Sequence, residues 1–443
     1  MKRPARKPPL RSPSLILFCV GVVALAAFVG YETTRVSALG PFVAQIRVAP
    51  KQAAVFRGAA LQFGASVTGT RDNTSVHWSL VGPGSIDEQG LYTAPAGGAV
   101  ANVVASAGSG LTDSATVQTV SPPDARRPLA FVSCYEDATI EVHSPDGVRA
   151  LGSLSLRGRT AGMAIDGKHQ RALVAAETQV FAIDLPSMRS HPSAAFPNSR
   201  FSQVALLPGG DFVVTDNNAQ DGQPGVRIFR IGKDGRPTVA GSVAAGETPE
   251  GIALGDHGRT VYVGNINSDS VMRFALQPNG GLRRTGFART GTRPFGIAVD
   301  DRQHVLFVAD NDTATLSGAR SRPGLERYHL PQMQRHGGVM STGSATSLPL
   351  GVAVDSALGR VFVVNEGDGD VVAYDTPSMR QRARMPTGLT PWLPTIDTIR
   401  HRLYVPNARG NSINVYDTKT LRPVTRNAPA CLYPTFIGLS AGV

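Results

Sequence analysis

The chain has 443 residues, too many for one small core and enough, at roughly 150 residues per domain, for two or three units. Gly 48 and Pro 32 enrich turns without reaching the roughly 25–30% of low-complexity chains, and 42% hydrophobic residues exclude wholesale disorder. Charged residues at 17%, against a usual value of about 25%, exclude coiled coils and long solvated helices, which leaves a turn-rich all-β protein.

The formal charge of +11 is uneven. Lys2, Arg3, Arg6, Lys7, Arg11 and Arg35 against Glu32 put +5 of it in residues 1–40. The remainder carries no basic run of the kind that grips a phosphate backbone, so nucleic acid is not an expected partner. Leu15 to Gly30 is an uncharged apolar run of sixteen residues behind a cationic start, the pattern of a signal peptide. It is just short of the ~17–25 residues of a spanning helix. Ala24-Leu25-Ala26 and Val36-Ser37-Ala38 both read as small-residue cleavage sites. Residues 1–40 are therefore expected to be a cleaved signal or an uncleaved anchor in the inner membrane. Either way the basic flank stays inside and the rest is exported, to the periplasm or cell surface.

Residues 41–121 read as short alternating strands separated by Gly and Pro turns, with Trp78 expected as the core aromatic of a middle strand. The stretch Gly84-Ser85-Ile86-Asp87-Glu88-Gln89-Gly90-Leu91-Tyr92-Thr93-Ala94-Pro95 resembles the signature of bacterial immunoglobulin-like domains. That resemblance implies a β-sandwich used as a spacer or adhesive module. Residues 122–127, rich in Pro and charge, are expected to be a linker.

From 128 to 443 the chain repeats itself. An apolar strand ending on a small polar residue recurs as Phe131-Val132-Ser133-Cys134, Leu173-Val174-Ala175-Ala176, Val213-Val214-Thr215-Asp216, Tyr262-Val263-Gly264-Asn265, Phe307-Val308-Ala309-Asp310, Phe362-Val363-Val364-Asn365 and Tyr404-Val405-Pro406-Asn407. Gly-x-x-Pro precedes several inner strands, best at Gly246-Glu247-Thr248-Pro249 and Gly291-Thr292-Arg293-Pro294. A period of 40–50 residues signals a propeller. These units resemble the YVTN-type β-propeller repeat, related to the lactonase-like seven-bladed propellers. The expected fold is all-β: a seven-bladed β-propeller preceded by an Ig-like β-sandwich and an N-terminal hydrophobic signal or anchor segment.

The repeats start with a second-strand unit, Leu129 to Cys134, and stop with a first-strand unit, Cys431 to Leu439. The simplest reading pairs these two halves in one blade and closes the ring. Aligned on the repeats, Cys134 and Cys431 fall at the same rim of that blade. A disulfide between them is expected; two free thiols are the alternative.

Ligands of propellers usually bind at the channel mouth. The candidate residues there are Asp216, Glu250, Asn265, Arg293, Asp310, Asn365, Glu366, Trp392 and Asn407. Carboxylates, an Arg and an indole suit a sugar or another small polar ligand, although Asp and Asn at strand ends also cap turns. The runs 216–221 and 366–370 have calcium-like composition without the loop spacing, and the histidines are too dispersed for zinc. No metal or cofactor is expected. An Arg-rich insertion at 317–327 is a candidate recognition loop for an anionic glycan or partner, and Arg380, Arg382 and Arg384 form a second cluster.

Lactonase-type propellers place Pro-Arg-His before an inner strand. Here Arg293-Pro294-Phe295 and Pro349-Leu350-Gly351 stand in such places without the His, while Val364-Asn365-Glu366 matches the family's Val-Asn-Glu. The main expectation is therefore a monomeric, non-catalytic binder of an envelope protein or glycan. The alternative is a periplasmic lactonase-like hydrolase using Glu366, Asp310 and Arg293. A further alternative is a cell-surface adhesin.

Overall fold

The computed structural model describes residues 44–69, 75–108, 110–217, 225–311 and 323–440. The chain divides into two compact units. One comprises residues 1–45 and 67–74, of which only 44, 45 and 67–69 are described. The signal or anchor segment thus lies outside the described residues, as do positions 218–221 and 317–322 of the two runs noted above. No helix among the described residues is long and apolar enough to cross a membrane.

The other unit, residues 46–66 and 75–443, holds a seven-bladed all-β propeller. Six blades are consecutive four-stranded antiparallel meanders, spanning 160–192 (blade 2), 201–244 (blade 3), 249–289 (blade 4), 294–335 (blade 5), 349–386 (blade 6) and 395–429 (blade 7). Blade 1 is composite. Its inner strand, Pro434–Ser440, comes from the C-terminal end and pairs antiparallel with Leu129–Cys134, which is followed by Thr139–His143 and Ala150–Ser155. Second strands such as Leu129–Cys134 and Thr260–Asn265 are buried throughout, because both faces of each blade pack on neighbours. Between blades 2 and 3, Phe201, Phe212 and Phe229 of blade 3, with ring centroids 5.5–5.7 Å apart, pack on Leu173, Ala175, Val180 and Ala182 of blade 2.

The ring closes as the repeat count requires. Cys134 and Cys431 form a disulfide with Cα atoms 5.7 Å apart. It joins the end of the second strand of blade 1 to the approach of its inner strand.

Inner strands crowd toward the axis, and glycine makes that possible. A Cβ at Gly251 would run into the carbonyl oxygen of Phe295, and one at Gly296 into that of Leu350. Each of these residues sits where the next blade's backbone passes, so no side chain is tolerated there.

Residues 46–120 contribute two further sheets within the same unit. One is the set Gln52–Phe56, Leu111–Val120, Ala99–Ala107 and Val76–Val81; the other is Ala60–Gln62, Leu91–Thr93 and Ser85–Ile86. Two findings differ from expectation. Trp78 lies on the end strand of its sheet and is only half-buried, while Phe56, Phe63 and Tyr92 fill the centre. The first sheet is also continuous with blade 1: Gln52–Phe56 runs parallel to the outer strand Ala150–Ser155. Ser153 Oγ donates to the Ala54 carbonyl (3.1 Å), and the amide of Gln62 donates to Ser155 Oγ (2.8 Å). Phe56 is packed so closely on Gly152 that a Cβ there would sit 2.7 Å from its ring.

Candidate functional site

The two repeating sequence units interlock. The backbone N–H of Gly246 donates to Asn265 Oδ1 (2.9 Å), and that of Gly388 to Asn407 Oδ1 (3.0 Å). Gly291 packs on the Asp310 carboxylate, and its N–H donates to Glu326 (3.0 Å). Asn365 bonds Thr342 and Asp370, while Asp216 takes the Ser199 hydroxyl, the Arg200 amide and the Arg227 guanidinium. Asn265, Asp310, Asn365 and Asn407 are fully buried and Asp216 nearly so. This corrects their placement among the rim candidates: strand-end side chains turn into their own blades and tie down the incoming loop.

The loop that is tied down ends in a left-handed residue just before proline: Thr248 (φ 53°), Arg293 (φ 60°), Leu348 (φ 47°), Thr390 (φ 54°) and Tyr433 (φ 57°). Such φ values strain non-glycine residues by on the order of 1–3 kcal/mol and persist only where the surroundings fix them. Here the carbonyls are fixed, accepting from the amides of Ile266, Asn311, Glu366, Ala408 and Tyr135. The result is a rigid collar that sets Arg293, Tyr433, Asn311, Glu366 and Tyr135 around the channel mouth.

Inside the collar, strand register defines the uppermost layer of the channel. Pro249 pairs with Asn265, Pro294 with Asp310, Pro349 with Asn365, Pro391 with Asn407, Phe201 with Asp216, Thr160 with Ala176 and Pro434 with Cys134. The next residues form the layer: Ala161, Ser202, Glu250, Phe295, Leu350, Trp392 and Thr435. Glu250 is the one charge among them.

Glu250 is gripped from blade 3. The Ser202 hydroxyl donates to Oε1, and the Asn217 amide donates to Oε2 at 2.6 Å. Burial pushes its carboxyl above the ordinary glutamate range, with these two bonds and the Arg200 charge acting against the shift. It lines a cavity of about 290 Å³ that runs down the channel past Gln203, Ile297, Val352, Ile396 and Phe436. Three polar atoms near the channel have no hydrogen-bond partner among the described residues: Asn217 Oδ1, Thr435 Oγ1 and, in the cavity wall, Thr395 Oγ1.

Glu366 occupies the collar on blade 6. Burial raises its carboxyl too, offset by the Arg409 charge and a bond from Asn311. Trp392 anchors an aromatic arc: its ring lies edge-on to Phe295 (5.9 Å) and Tyr433 (6.1 Å), and Tyr433 leads to Tyr135 (6.0 Å). All four rings are half-buried. Of the nine candidates, Glu250, Arg293, Glu366 and Trp392 are thus brought to the mouth. Sequence reading passed over Ser202, Asn217 and Tyr433, whose signal was their register beside Glu250 and the Pro-led strands.

Among the described residues one cluster has metal-ligand types within reach of each other, Cys134, Glu141 and Cys431, and its two sulfurs are spent in the disulfide. The Arg-rich cluster Arg380, Arg382 and Arg384 lies on blade 6, paired with Asp375, Asp368 and Asp370.

The fold is shared with chains of several activities. The Pseudomonas aeruginosa periplasmic gluconolactonase PpgL is 13% identical with a TM-score of 0.57, over 71% of this chain and 99% of that one. A functionally unknown protein from Desulfotomaculum acetoxidans is 15% identical (TM-score 0.54, 69% and 98%). The Kuenenia stuttgartiensis hydrazine synthase is 13% identical (TM-score 0.52, 65% and 92%). At such identities these likenesses show the fold alone. None of the curated proteins matches the sequence. Residues 123–336, from the linker through blade 5, match the family described as SMP-30/Gluconolactonase/LRE-like region, so this part of the chain is similar to lactonase-like propellers.

Proposed function

We propose that this protein is an exported hydrolase that opens a sugar-acid lactone at the channel mouth, with Glu250 as the base. The observation that carries the reading is a carboxyl raised by burial, held by two donors, at the top of a cavity within the segment that matches the lactonase-like family. That match favours hydrolysis over binding without chemistry. Water adds to the lactone carbonyl carbon and passes a proton to Glu250. The ring C–O bond then breaks, and the departing oxygen takes that proton back, leaving the open hydroxy acid. Arg200, whose charge already acts on Glu250, would meet the charge that develops on the carbonyl oxygen. Glu366, Arg409 and Asn311 would bind substrate hydroxyls, and the unpartnered Asn217 and Thr435 oxygens would accept from others.

Export is supported by the disulfide, which requires an oxidising compartment to persist, and by the signal pattern at the N-terminus. The sheets of residues 46–120 serve in this reading as an immunoglobulin-like spacer.

The test is hydrolysis of glucono-δ-lactone by the purified protein, followed by proton release in a pH-stat. Glu250→Gln should lower kcat by about 10²–10⁴-fold. No rate above the spontaneous one would leave binding of a glycan or envelope partner as the reading, and an unaffected Glu250→Gln variant would overturn Glu250 as the base.

A further inference from the structure

The aromatic arc extends away from Glu250 further than one sugar ring needs. Phe295 and Trp392 belong to the channel layer itself, while Tyr433 and Tyr135 continue outward over the closure of the ring. Each step between centroids is about 6 Å, the ordinary spacing of rings packed on one another, so the four rings make one continuous strip. Arg159 caps the outer end, its guanidinium 5.3 Å from the centre of the Tyr135 ring. Leu389 and Leu432 stand exposed on the same face, 69% and 49% accessible. Charged and hydrogen-bonding groups rim the rings: Glu136, paired with Arg159, then Asp137 and Arg409.

We infer that the substrate is the lactone end of an oligosaccharide, whose following sugar units lie along Trp392, Tyr433 and Tyr135. A pyranose has an apolar C–H face and a polar edge, and it is matched by rings bordered with charged and amide groups. A purely aliphatic ligand would desolvate the Glu136–Arg159 pair and Arg409 without offering them a hydrogen bond in return. The collar holds Tyr433 in its left-handed conformation through the Tyr135 amide, so the two outer rings are set before ligand arrives.

This inference rests on the lactonase reading, and one experiment separates the two. Rates on glucono-δ-lactone are compared with those on the lactones of cellotetraonic and maltotetraonic acid, whose three following sugars reach Tyr135. Binding of cello-, malto- and chito-tetraose is measured by calorimetry. The arc predicts kcat/KM at least tenfold higher for a tetrasaccharide lactone. The preference should fall at least fivefold in Tyr135→Ala and be retained in Tyr135→Phe. Equal kcat/KM on all lactones overturns the arc and leaves the hydrolase. Turnover of no lactone, with tetraose binding that Tyr135→Ala abolishes, overturns the hydrolase and keeps the arc as a glycan site. Neither turnover nor binding overturns both.

Discussion

Glu250 illustrates how a single carboxyl is set for chemistry at a cost to the fold. Because burial raises its pKa in the folded state, the folded protein holds the proton more tightly than the unfolded chain does. Ionised Glu250 therefore lowers stability above its folded pKa, and that penalty disappears in acid. Glu250→Gln should melt at higher temperature than the parent at neutral pH, with the difference closing as pH falls, as calorimetric scans at several pH values would record. The same shift moves the acid limb of the rate profile: kcat/KM should decline while the pH is still above the ordinary glutamate range. Asn265 and Asn407 make the opposite case. Each holds a glycine amide from inside its blade, so Asn407→Ala should cost about 1–3 kcal/mol in a denaturant titration while leaving KM unchanged. Sequence reading grouped Asn265 and Asn407 with Glu250 because residue type and rim position were legible, whereas side-chain direction was not. A strand that is buried on both faces gives no alternation from which to read it.

At the scale of elements, the inner strands and their Gly-x-x-Pro approaches were legible because they repeat. Blade 3 enters through Ser199-Arg200-Phe201-Ser202, without Gly or Pro, so the hydroxyl that grips Glu250 lay in the copy that departs most from the pattern. The pairing of Gln52–Phe56 with the outer strand of blade 1 was the other feature that the repeats did not reveal. Edge pairing leaves no mark in sequence beyond a glycine, and Gly152 is that glycine. Gly152→Leu should force Phe56 from its seat and detach Gln52–Phe56 from the outer strand of blade 1. Faster proteolysis between residues 121 and 128, with lactone hydrolysis unchanged, is the expected result.

For the whole molecule, blade count and closure followed from two half-repeats and two cysteines, the most redundant information in the chain. Cys134→Ser with Cys431→Ser should lower stability by about 2–5 kcal/mol, measured as a fall in Tm that reducing agent reproduces in the parent. The composite blade also imposes an order on assembly. Blades 2 to 7 can each form as soon as their own four strands exist, since every pairing within them is between neighbours in sequence. Blade 1 cannot: Leu129–Cys134 must wait for Pro434–Ser440, some three hundred residues later. Until then the inner edge of Leu129–Cys134 stands open, on the side of blade 1 away from the strands of residues 46–120. A nascent chain arrested before residue 434 would expose that edge to any passing strand, so the last seven residues of the ring act as the latch that ends its susceptibility to aggregation.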